Sequence, residues 1–102
     1  MAESDAVRAD PKHYTVELED DRVRVLRTRY EAGEKSVPHS HPSHLAIFLT
    51  DAHIRFNDRG GGPPEAQAKA GQVVQVPATT HQPENVGGQP IEAILVELKD
   101  QS

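Results

Sequence analysis

Gly33-Glu34-Lys35-Ser36-Val37-Pro38-His39-Ser40-His41-Pro42-Ser43-His44-Leu45-Ala46-Ile47-Phe48-Leu49 holds three of the chain's six histidines within six positions and then turns into an apolar run. In an extended segment residues two apart point to the same face, so His39 and His41 can present both imidazoles to one point. That is the arrangement a chelating pair needs. In the run that follows, His44 shares a parity with Ala46 and Phe48, while Leu45, Ile47 and Leu49 share the other. If the Ala46 face looks inward, His44 stands beside the pair as a fourth ligand or an acid/base group. The alternative is a solvated turn residue after Pro42-Ser43.

Further along, Gly71-Gln72-Val73-Val74-Gln75-Val76-Pro77 is a short apolar strand with a stop, and His81 follows it. His81 can therefore return from another strand with a third nitrogen. Asn85 is read as fixing a turn. Strands are expected over Tyr14 to Leu18, Val23 to Tyr30, His44 to Leu49, Ile54 to Phe56, Val73 to Val76 and Ile91 to Leu98. Turn chemistry separates them at Glu19-Asp20-Asp21, Glu31-Ala32-Gly33, Thr50-Asp51-Ala52, Ala70-Gly71 and Gly87-Gly88. Asp58 to Pro64, with three glycines and two prolines, is expected to be an exposed loop. No segment shows helical periodicity. Many short strands at this spacing indicate an all-β barrel or sandwich.

A chain of 102 residues has room for one domain. Residues 1–12 read as a flexible N-terminal lead-in that orders only where it touches the barrel, and residues 13–102 as the domain itself. Sixteen acidic against eleven basic residues give a net charge of -5, which disfavours nucleic acid and anionic bilayers as partners. No cysteine is present, so a metal must be held by nitrogen and oxygen. With no long apolar run and no apolar stretch near Met1, a cytoplasmic protein that does not enter a membrane is expected. His13 and His53 lack a partner at ligand spacing and are expected to be solvated. Arg24 has one parity and Arg27 and Arg29 the other; cross-strand ion pairs with glutamates are the favoured reading over a substrate anchor.

Gly33 followed after five residues by His39-Ser40-His41 resembles the first motif of the cupin superfamily. Gly71, then Pro77, His81 and Asn85 resemble the second. The resemblance runs from Gly33 to Leu98 and implies a single-domain cupin of the RmlC-like type, a double-stranded β-helix or jelly-roll barrel. It also implies one divalent transition metal (Fe, Mn, Ni, Zn or Cu) on His39, His41 and His81. Two departures stand out. Leu45 and Ala46 occupy the positions where the family pattern carries a glutamate ligand, and Thr79 replaces the glycine of the second motif.

Three neutral histidines leave a metal its full double charge, which favours small anionic bidentate ligands such as carboxylates and enolates. The resemblance therefore implies a small-molecule ligand and an activity like that of the three-histidine dioxygenases. A metal-dependent lyase or isomerase with His44 moving protons is the alternative, and a non-catalytic binding or sensor module is the third. A homodimer, paired through edge strands, is expected because so small a barrel has much surface for its core.

Overall fold

A computed structural model describes residues 5–57 and 65–99; the loop expected over Asp58 to Pro64 lies outside the described residues. After a short helix α1 (Ala6–Ala9) come ten strands: β1 (Tyr14–Glu19), β2 (Val23–Tyr30), β3 (His39–His41), β4 (His44–Phe48), β5 (Ala52–Phe56), β6 (Glu65–Ala68), β7 (Val73–Val76), β8 (Thr79–His81), β9 (Pro83–Asn85) and β10 (Ile91–Leu98). Their antiparallel ladders form a five-stranded sheet in the order β1-β2-β10-β4-β7, a pair β3-β8 and a three-stranded sheet β6-β5-β9. This is the all-β jelly-roll architecture expected, although among the described residues the ladders stop short of one closed cylinder.

All six expected strands are present. The four that sequence reading leaves out, β3, β6, β8 and β9, have three or four residues each and contain no Val, Ile, Leu, Phe or Tyr. Pairing partners, not side-chain pattern, make them strands. Pro83 opens β9; its carbonyl accepts from Ser36 N–H, and the Ser36 carbonyl accepts from Gln82 Nε2, not from a main-chain N–H of residue 83. Gly33 and Gly71 both have positive φ, as their turn roles require.

The register of the five-stranded sheet sorts its two faces. Leu26, Leu95 and Ala46 are cross-strand neighbours and are buried, forming the core with Tyr14, Tyr30 and Ala6. One turn of the pleat away, Leu26's neighbour Val25 pairs with Val96, and Val96 with Leu45, on the opposite face. A bulge between Val16 and Leu18 in β1 brings Leu18 onto that outer row beside Val25.

From Asp5 onward the chain ahead of β1 packs against the strands. Asp5 caps α1 by accepting from the Val7 and Arg8 N–H groups, and it bridges to Ser40. Ala6 is wholly buried in the core. A four-residue helix is too short to leave a periodic signature in sequence. His13 corrects the expectation of a solvated side chain: it is buried, its Nδ1 lies 2.7 Å from Asp10 Oδ2, and its ring stacks on Tyr30 at 4.1 Å. His53 is half-buried and 2.7 Å from Glu65.

Candidate metal centre

His39 and His41 sit at the two ends of β3, so the pleat sends both rings inward. β8 pairs antiparallel with β3 and sets His81 directly opposite His39. One donor atom from each of His39, His41 and His81 lies within 4.8 Å of the others, the only grouping of its kind among the described residues. His39 Nε2 and His81 Nε2 are 3.0 Å apart. Two nitrogens each bound about 2.1 Å from one ion would be separated by roughly 3.0–3.4 Å.

Hydrogen bonds on the far side of two rings aim these nitrogens. His39 Nδ1–H donates to the Val37 carbonyl at 2.9 Å, leaving Nε2 with its lone pair. His41 Nδ1–H donates to Glu97 Oε2 at 2.7 Å, and His41 Nε2 is buried with no hydrogen-bond partner. A buried nitrogen without a partner is costly unless something else occupies its lone pair. Burial, reinforced by His41, pushes His39 down to about 4; burial together with His39, His41 and His44 pushes His81 down to about 2. Both are therefore neutral at physiological pH, the form a metal requires.

Glu97 is the residue that sequence reading passed over. It is 2 % exposed, on the inward parity of β10 with Ile91, Ala93 and Leu95. The alternation Ile-Ala-Leu-Glu at positions 91, 93, 95 and 97 carries the signal. Burial works to raise its pKa, but the hydrogen bonds from His41 and Arg24 outweigh that and hold it below the ordinary carboxylate range. Arg24 reaches Glu97 Oε1 through Nε at 2.9 Å and Nη2 at 2.7 Å. Arg27 and Arg29 both pair with Glu92, at 3.0 and 3.4 Å, which is the expected cross-strand ion pairing.

His44 is buried on the inward face with Ala46, which removes the solvated-turn alternative. Its Nδ1–H donates to the Pro42 carbonyl at 2.8 Å, leaving Nε2 to bind or carry a proton. Its ring centroid is 4.9 Å from that of His41, yet its donor atoms do not belong to the converging set. Tyr14, unremarked in the sequence, packs edge-on against both His39 and His41, and Phe56 stacks beside His81 at 5.4 Å. Asn85 fixes its turn as expected, accepting from Gly87 N–H and donating to the Gln89 carbonyl. A separate open cleft of about 400 Å³, with Asp51, His53, Lys69 and Gln72 in its lining, shares no residue with the cluster.

The chain resembles solved structures across most of its length. A cupin domain from Bordetella pertussis Tohama I superposes with a TM-score of 0.78 at 20% identity, covering 85% of this chain and 92% of that one. An RmlC-like cupin family protein from Methanocaldococcus jannaschii gives 0.63 at 20% identity, covering 85% and 81%. A DMSP lyase from Ruegeria pomeroyi DSS-3 gives 0.64 at 17% identity, covering 88% of this chain and 49% of that one. No curated protein matches the sequence. Identities this low speak for the fold alone. The family model of the cupin domain, however, matches residues 26–97, which takes in both histidine motifs and the strand bearing Glu97, and by that match the chain belongs to the cupin family.

Proposed function

We propose that His39, His41 and His81 hold one divalent transition metal (Fe, Mn, Ni, Zn or Cu), and that the protein binds or transforms a small anionic organic molecule there. One observation carries this reading: three imidazole donors converge within 4.8 Å, and one of them, His41 Nε2, is buried with its lone pair unused. When bound, the ion supplies Lewis-acid polarisation of a ligand oxygen and, if redox-active, access to oxygen chemistry. The chain's own part is to keep His39 and His81 neutral, to hold the rings in place through Val37 and Glu97, and to shield the site with Tyr14 and Phe56.

A three-histidine dioxygenase is the leading reaction because no carboxylate stands at Leu45 or Ala46 to offset the ion's charge. Protein loaded anaerobically with Fe(II) and given β-diketone and thiol substrates should then consume oxygen faster than a His81→Ala control. Equal rates would remove the oxygenase reading.

The placement of His44 favours a second reading, a lyase or isomerase. Burial lowers its pKa, so its Nε2 is available as a base at neutral pH. His44→Ala should abolish turnover with metal content unchanged; unchanged turnover removes His44 from the mechanism. Tight binding without turnover would make the protein a binding or sensor module.

The proposal includes a homodimer in the cytoplasm. Its support is the exposed β1 edge, with Leu18 57% exposed, together with the row Leu18, Val25, Val96 and Leu45 on the outer face of the sheet. No helix among the described residues is long and apolar enough to cross a membrane.

A further inference from the structure

We infer that Glu97 is a positioning residue for the metal site, and that Arg24 and Asp5 form the clamp that holds it. The inference rests on the metal reading of the three histidines and adds a control on it from outside the ligand set. Register alone brings the parts together: Glu97 faces Arg24 on β2 and His44 on β4, so an Arg-Glu-His row crosses the inner face of the sheet at the level of the site. Within that row Glu97 divides its two oxygens. Oε2 accepts a hydrogen bond from His41 Nδ1–H, and Oε1 accepts two from Arg24.

The arrangement does two things to His41. It fixes the tautomer, so that Nε2 and not Nδ1 faces His39 and His81. It also makes Nε2 a stronger donor, because an imidazole whose other N–H hydrogen-bonds to a carboxylate gains electron density. His39 Nδ1 meets neutral groups in the same position, the Val37 carbonyl at 2.9 Å and the Ser36 hydroxyl at 3.4 Å. A carboxylate hydrogen-bonded to the cluster thus enters through Glu97 and His41, while Leu45 and Ala46 offer none.

Arg24 is itself anchored. Its Nη1 lies 3.3 Å from Asp5 Oδ2 and its Nη2 pairs with Asp5 Oδ1, while Asp5 also caps α1. The chain ahead of the barrel therefore reaches the site through four side chains in sequence: Asp5, Arg24, Glu97 and His41. Without Asp5 the guanidinium has only Glu97 to orient it.

The test is Co(II) titration with a competing chelator, alongside the visible ligand-field spectrum, on wild type, Glu97→Gln and Asp5→Asn. An amide at position 97 offers one acceptor oxygen where His41 and Arg24 now use two, and it carries no charge. Glu97→Gln should bind Co(II) about 10–100-fold more weakly, with a shifted spectrum and unchanged far-ultraviolet circular dichroism. Asp5→Asn, at a partly exposed position, should weaken binding in the same direction by less, and it serves if Glu97→Gln does not fold. Wild-type protein that binds Co(II) while both variants match it in affinity and spectrum overturns this inference and leaves the metal reading intact. Wild-type protein that binds no Co(II) overturns both.

Discussion

Glu97 Oε2 lies 2.7 Å from His41 Nδ1, and both side chains are almost wholly enclosed. A carboxylate so deep in an all-β core is stable only because its lone pairs are taken up by His41 and Arg24. The contact ties the far end of β10 to β3, two elements of different sheets, and gives the core a polar pivot at the level of the histidines.

Removing that pivot should be expensive. Glu97→Ala leaves the Arg24 guanidinium and the His41 N–H without their shared acceptor in a mostly enclosed space. The expected loss is about 3 kcal/mol of unfolding free energy, read from the urea midpoint of the metal-free protein. A loss below about 0.5 kcal/mol, the range of ordinary surface substitutions, would mean that Glu97 is not the structural pivot described.

The acid sensitivity of the metal-free protein has a definite sign. His39 is held at about 4 and His81 at about 2, both below the ordinary 6.5. The unfolded chain therefore takes up these protons at a higher pH than the folded chain. The stability tied to them is complete above about pH 6.5 and is lost as the pH falls from there toward the folded values. Glu97, held below its ordinary 4.5, adds a loss of the same sign at lower pH. The urea midpoint of chelator-treated protein should fall steadily between about pH 7 and about pH 5. A level or rising midpoint would show that these rings are not buried in the neutral form.

Much of this was legible in the sequence, and for a common reason. Alternation over Val23 to Tyr30 and Ile91 to Leu98 marks long strands, because each buries one face and wets or half-wets the other. The same parity rule brings His39, His41 and His44 inward. It applies to Glu97 too, since the glutamate that closes the alternation Ile-Ala-Leu-Glu shares the buried parity. His13 and α1 were not legible. Asp10 and Glu34, which hold His13, come from the chain before it and from a distant turn, and no local pattern announces either contact. Short strands such as β6 and β9 exist because β5 pairs with both, which only the folded chain reveals.

Self-association offers a further check. Val96 lies on the outer face of the central strand β10, between Val25 and Leu45. Light scattering at micromolar concentration should give twice the mass of one chain for the wild type, and the mass of one chain for Val96→Arg, which buries a charge in any contact across that face. A monomer mass for the wild type would contradict the homodimer, and a dimer mass for the variant would move the contact elsewhere.

The most direct measurement is elemental analysis of tag-free protein, beside a His39→Ala/His81→Ala double variant, after dialysis against a mild chelator. The account predicts about one transition-metal ion per chain in the wild type, or after its reconstitution with Fe, Mn, Ni, Cu or Zn, and almost none in the variant. Wild-type protein that neither retains nor takes up any of these ions would contradict it.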